Sequence, residues 1–377
     1  MNKKKIHFWV PYPQRSAPSQ RFRVEQYLPY LPQNSFSYTV LSFLDAYTWS
    51  ILYKKGYRVK KFLGMVMGFF RRIGHLFKSA SADYVFILRE AAPVGPPVFE
   101  WLLSKIFRKK IIYDFDDAIW IPGGEKMSWR KRFFKSTWKI KYIIHWAYKV
   151  SCGNQFLFSY ARNYNQNVII LPTGFDTERI KGKQRNETNG KKVIVGWTGS
   201  HTTLHNLEEI GQVIPELKKE IDFDFYIISN KPPAWDFDFI FKKWDETTEI
   251  DDLLKMDIGV MPLKKGPWFE GKCGFKLIQY HALGIPAIAS AVGINAAVTL
   301  HDKTGFIAQS SLDWKRYLRQ LISDSGLRIQ MGNAGKEHME KNLLPIFKNK
   351  VKLVFSELKE SDAAILGASA LVWEMKN

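Results

Sequence analysis

Cysteine is nearly absent from this 377-residue chain, with Cys152 and Cys273 its only two. Two thiols so far apart build neither a disulfide framework nor a zinc site, which excludes the small cross-linked scaffolds and fits a reducing compartment. Long apolar runs are missing too. No stretch reaches the roughly 18–20 residues that a membrane-crossing helix requires. The basic start MNKKKIHFWVPYP has too few apolar residues before its first proline for a signal peptide, and reads as a first strand. A cytoplasmic protein is expected. Acidic residues are scarce in one half only. Met1 to Pro172 holds 28 Lys plus Arg against 9 Asp plus Glu, a net +19, whereas Thr173 to Asn377 holds 28 and 27, a net +1. The first half is therefore expected to meet a polyanionic surface.

What is present is a globular composition. A 46% hydrophobic content over this length calls for packed cores, and two domains are the natural division. The stretch WFEGKCGFKLIQYHALGIPAIASAVGIN, Trp268 to Asn295, organises the second of them. It runs from a glycine loop (Gly271, Gly274) through an apolar helix opening near Cys273 to a Gly284-Ile285-Pro286 stop, a short strand and a second loop at Gly293. A helix start presents unpaired N–H groups and partial positive charge, which suits a phosphate. Lys272, Lys276 and Gln279 stand at spacings of four and three, which places them on one helix face. Two lysines so placed repel each other, so either water solvates them or an anion lies between them.

The run GKCGFKLIQYHALGIPAIAS, with VGIN and DKTGFIA after it, resembles the donor-site signature of the group 1 glycosyltransferases, enzymes of the retaining family 4 type with the GT-B fold. The resemblance implies two Rossmann-like domains facing a central cleft, an acceptor domain over 1–180 and a nucleotide-sugar domain over 190–345. A helical segment, 346–377, would cross back to the first domain. It further implies transfer of a sugar from a nucleotide sugar to a hydroxyl, with no cofactor and no metal. The donor-binding set is then Glu270, Lys272, Cys273, Gly274, Phe275, Lys276 and Gln279, with Gly199 and Ser200 from an earlier strand–loop–helix start. The family's Glu-x7-Glu pattern falls at Gly271 and Gln279, so both carboxylates are missing; Gln279 retains an amide for a ribose diol, while Gly271 has nothing to offer.

The N-terminal half adds candidates. YVFILR (84–89) and KIIY (110–113) read as buried parallel strands, and the second runs into Asp114-Phe115-Asp116-Asp117. Carboxylates just beyond a strand's C-terminal end occupy the usual place for a site in an open α/β sheet. Asp116 and Asp117 are the catalytic candidates, to accept a hydroxyl proton or steady positive charge on the sugar; capping of the next segment is the structural alternative. Arg21 and Arg23, in the loop after the first strand and before a helix over Val24 to Leu31, are candidates for acceptor or phosphate contact. Lys54 to Lys78 places FLGMVMGFF between basic ends and suits an interfacial helix. Trp129 to Lys149 repeats the theme, with Lys131, Lys135, Lys139, Trp138, Tyr142 and Trp146 off its apolar stripe. Together these favour an enzyme at the inner face of the plasma membrane, acting on a glycan or lipid-linked glycan in cell-surface polysaccharide synthesis. Two alternatives stand beside it. One is a nucleotide-sugar-binding or scaffold protein of the same fold without transfer, and the other, nucleic-acid binding, has charge in its favour but no motif.

Overall fold

Strands buried on both faces read as nearly unbroken apolar runs, and such runs recur through both halves of the chain. The computed structural model describes residues 3–31, 35–121, 136–183 and 192–342, with Val354. It divides between Thr173 and Gly174 into two compact units.

In the first unit, β1 (Lys4–Val10), β2 (Phe36–Ser42), β3 (Tyr84–Leu88), β4 (Lys110–Phe115), β5 (Lys149–Cys152) and β6 (Val168–Ile170) form one sheet. Its order is β2-β1-β3-β4-β5-β6 and every pairing is parallel. Parallel neighbours need crossovers. These run through α1 (Pro18–Arg23), α2 (Ala46–Leu52), α3 (Arg58–Ser79), α4 (Val98–Trp101), α5 (Lys139–Trp146) and α6 (Gln155–Arg162). The order reverses beside β1, so the switch point lies at the carboxyl ends of β1 and β3.

The second unit repeats the plan. Strands β7 (Val193–Thr198), β8 (Phe223–Ser229), β9 (Ile240–Lys243), β10 (Ile258–Met261), β11 (Ala287–Ser290) and β12 (Gly305–Ala308) are ordered β12-β11-β10-β7-β8-β9, again all parallel. Here the switch point lies between β7 and β10. Helix α7 (Phe275–Ala282) links β10 to β11, while α8 (Ser311–Ser323) and α9 (Ser325–Asn342) follow β12. The core is built from Trp197, Phe225, Ile227, Ile288, Phe306 and Leu318, all essentially inaccessible to solvent.

Several expectations shift. The helix expected over Val24 to Leu31 is a 3-10 turn, Glu25–Tyr30, and Arg21 and Arg23 lie in α1 before it rather than in a loop. Lys139 is not on an outward face: it is buried, pairs with Glu90 at 2.9 Å and donates to the Ala92 carbonyl at 2.7 Å. Trp138 and Tyr142 of the same helical region are exposed as expected. Gly305 opens β12; a Cβ there would lie 2.0 Å from the Ala287 carbonyl oxygen on β11, so close approach of backbones excludes a side chain. Lys131 and Lys135 lie outside the described residues, as does the expected 346–377 segment apart from Val354.

Candidate functional site

The loops at the second switch point come from β7 and β10. After Thr198, β7 passes into Gly199 and Ser200, and the Gly199 amide continues the ladder to the Ile228 carbonyl at 3.0 Å. Ser200 shares a hydrogen bond with Thr202 at 2.7 Å. After β10 the chain makes one helical turn, Pro267–Glu270, and then reaches Gly274, whose φ of +62° is left-handed backbone that glycine adopts without steric cost. That residue interrupts the helical path. Helix α7 therefore begins at Phe275 and not at Cys273, and Lys272 is not on it.

The expected lysine stripe is corrected accordingly. Lys272 belongs to the preceding turn, its amide bonded to the Phe269 carbonyl at 3.0 Å, and its ammonium lies 5.2 Å from the ring centre of Trp268. Lys276, on the first turn of α7, lies 5.5 Å from the ring centre of Trp197 on β7. Both are half-buried over aromatic faces, which attract a cation and keep it from dispersing into water. Tyr280 fastens this helix to the strand end, its hydroxyl accepting from the Thr198 amide at 3.2 Å; burial raises that phenol well above its ordinary pKa, so it stays protonated. Gly199, Ser200, Lys276 and the start of α7 thus converge.

Gln279 stands one turn below Lys276 and is only 3% exposed, and its amide nitrogen has no hydrogen-bond partner among the described residues. A buried donor left unmade costs roughly 1–3 kcal/mol, which an arriving acceptor would recover. The Glu270 carboxylate accepts from the Gly293 amide at 2.9 Å and ties the two glycine loops together. Cys273 is buried, with its thiol 3.8 Å from the Gly271 carbonyl, and Phe275 packs on Phe175 with ring centres 6.4 Å apart.

At the first switch point the aspartates part company. Asp114 turns inward and takes a two-pronged bond from Arg23, 2.8 Å to Nε and 2.5 Å to a terminal nitrogen, with neither side chain accessible. Arg23 also donates to the Leu171 carbonyl at 2.5 Å. The expectation that Arg23 meets substrate is therefore corrected, since its fork is spent on an internal strut. Arg21 is buried as well, its guanidinium 4.9 Å from the Phe22 ring centre.

Asp116 and Asp117 are both held by Arg89, at 2.7 and 2.5 Å. Arg89, the residue after β3, is in left-handed backbone, φ +62°, unusual for a residue with a side chain. Burial alone would lower its pKa; the two carboxylates outweigh that and hold it above its usual value. Tyr12 beside it is pushed up to about 12 by burial. Sequence reasoning missed Arg89, whose only signal is a lone cation at the end of an apolar strand that neighbours the DFDD strand.

Two six-stranded parallel sheets, each with its loops gathered at a switch point, define the class: this is the GT-B architecture of two Rossmann-like units. Solved structures of similar fold include a sucrose-phosphate synthase from Thermosynechococcus elongatus (TM-score 0.66, 13% identity, 93% of this chain and 98% of that one). Anabaena HepE in complex with UDP-glucose gives a TM-score of 0.67 at 12% identity over 94% of this chain and 100% of that one. WaaG, a glycosyltransferase involved in lipopolysaccharide biosynthesis, gives 0.65 at 11% over 93% and 100%. None of the curated proteins matches the sequence. Residues 237–338 match the family model for glycosyl transferases group 1. The chain carries a group 1 glycosyl transferase domain, and by class it is a glycosyltransferase.

Proposed function

We propose that this enzyme moves a hexosyl or related residue from a nucleotide sugar to a hydroxyl of a glycan or lipid-linked glycan, with retention at the anomeric carbon. One observation carries the reading. The buried, unpartnered amide of Gln279 sits one turn below Lys276, on a helix start fastened to the end of β7, at the switch point of a Rossmann-like sheet. The sugar–phosphate bond breaks toward a diphosphate, so negative charge grows on the phosphate oxygens. Groups that meet charge only as it develops lower the barrier. The Lys276 ammonium and the partial positive charge at the start of α7 are assigned that work, with Lys272 at the loop before it. No metal is required in this scheme, because the cations are side chains. Gln279 is assigned to the ribose diol, which offers the acceptor its Nε2 lacks. HepE holds UDP-glucose, and a uridine nucleotide is the first donor to try here.

The first unit is assigned the acceptor. Arg89 fixes Asp116 and Asp117 at its switch point, where the pair would orient the incoming hydroxyl and steady positive charge on the sugar ring. The work is placed at the inner face of the plasma membrane, in cell-surface polysaccharide synthesis, and among the described residues no helix is long and apolar enough to cross a membrane.

The test is calorimetric titration with a panel of uridine, guanosine and adenosine diphosphate sugars, followed by turnover assays on the donor that binds. Lys276→Ala is expected to lower kcat/KM at least about a hundredfold, the scale of losing one preorganised charge donor. Gln279→Leu is expected to weaken donor binding by roughly tenfold or more. Tight nucleotide binding without turnover, unchanged in both variants, would leave a binding protein of this fold in place of the transferase.

A further inference from the structure

Helix α3 is turned the opposite way from most helices packed on a sheet. At 100° per residue, positions 64, 68, 72 and 76 make one face, and Gly64, Gly68, Arg72 and Leu76, with Ser79 at the end, are its buried residues. Small residues face inward. A Cβ at Gly64 would fall 2.3 Å from the Thr48 side chain, and one at Gly68 would fall 2.6 Å from the Phe43 ring. Arg72 then locks the rotation, donating to the carbonyls of Val10 at 2.7 Å, Leu41 at 2.8 Å and Ala91 at 2.6 Å. With that face pinned, the large apolar side chains are driven outward. Val59, Phe62, Phe70 and Phe77 are 70, 67, 61 and 67% exposed, and Leu63 and Ile73 stand among them. The helix could not bury these rings by rolling, because Arg72 would lose three carbonyl partners.

The margins of this stripe are cationic. Arg58, Lys60, Lys61 and Lys78 belong to the same helix, which contains no acidic residue, while its Arg71 is paired with Asp45 at 2.6 Å. Lys60 lies about 6 Å from the ring centres of Tyr47 and Tyr57, both exposed, as aromatic residues stand at a water–lipid boundary. The segment packed beside α3 adds exposed Val98, Trp101 and Ile106. We infer that the outward face of α3 docks the first unit onto an anionic bilayer leaflet, with Phe62, Phe70 and Phe77 entering the acyl boundary and the lysines meeting the headgroups. The helix then lies in the plane of the interface, its apolar side immersed by roughly 5–10 Å. Charge selects this occupant over a second copy of the chain. A copy would bring its own α3 face, cations against cations, with no acid on either helix to relieve them, whereas a leaflet of anionic lipid complements the +19 of the first 172 residues. The inference deepens the proposal of a membrane-borne acceptor and rests on it only for the purpose of docking; the surface itself is independent of the transfer chemistry.

The test floats the full chain with vesicles of phosphatidylglycerol and phosphatidylcholine, and with phosphatidylcholine alone. Wild type is expected to rise with the anionic vesicles. Phe62→Ser/Phe70→Ser is expected to lose at least about tenfold in partition, with an unchanged thermal melt because both rings are already in solvent. Arg58→Gln/Lys60→Gln is expected to lose the preference for anionic lipid. Wild type remaining below the vesicles, or the serine variant floating equally well, overturns the inference. A concentration-dependent dimer that the serine pair dissolves, without vesicle binding, assigns the face to a second copy instead. Nucleotide-sugar titration on the same samples reads the donor site separately, so failure to float and failure to bind donor remain distinguishable.

Discussion

Two arginines of similar appearance in sequence end in different physical situations. Arg23 is sealed with Asp114, while Arg89 with Asp116 and Asp117 keeps partial access to water, its side chain 23% exposed. Removing one partner of a sealed pair strands the other charge, which costs about 3–5 kcal/mol. Arg23→Met is therefore expected to lower the urea midpoint strongly. Arg23→Met/Asp114→Leu should regain much of the loss, since no unpaired charge remains. Arg89→Met should cost stability less, because water reaches what it leaves behind, yet cost turnover more. Equal stability losses for the two single variants would contradict this division between strut and site. The difference was not legible in sequence. Nothing near Arg23 announces Asp114, 91 residues away, and the pairing exists only because β1 and β4 flank β3 in one sheet.

At the scale of elements, the buried strands were legible and the edges were not. Runs such as YVFIL and FDFYIIS are almost wholly apolar because helices cover both faces, whereas β2 and β9 end their sheets with residues left partly or fully exposed and lack such a run. The donor helix was legible in kind but slipped by two residues, since spacing alone does not reveal that Gly274 takes a left-handed turn. Periodicity alone points Lys139 outward, but its partners Glu90 and Ala92, on another loop, hold it buried. Helix α7 also carries a consequence for acid stability. His281 is wholly buried against Thr299, its Nε2 2.8 Å from the hydroxyl, and burial lowers its pKa from 6.5 to about 3. In the unfolded chain it binds a proton near pH 6.5; in the fold it does not until about pH 3. Between those values the unfolded state holds the extra proton, so this contribution to stability is complete above 6.5 and declines as the pH falls. The denaturant midpoint of wild type should drop between pH 6.5 and 4. His281→Gln should show a shallower slope there, whatever its stability at neutral pH.

For the whole molecule, the uneven charge separates two kinds of binding that both involve anions. The +19 belongs to the first 172 residues and the proposed nucleotide site to residues beyond Gly174, where the net is near zero. Leaflet docking by lysines that ring an exposed helix draws on many solvated charges, each screened within a Debye length of about 10 Å at 0.1 M salt and about 3 Å at 1 M. Donor binding as proposed draws on Lys272 and Lys276, half-buried over Trp268 and Trp197, on oriented amides and on the Gln279 amide. Those groups are partly buried, and so partly withdrawn from salt. Raising ionic strength from about 0.1 to 0.5 M should therefore release the enzyme from anionic vesicles while changing its affinity for a nucleotide sugar far less. Parallel flotation and calorimetry across a salt series measure the two slopes. Similar slopes would mean that one basic surface serves both anions, and the nucleotide site would then have to be sought among the cations of the first unit.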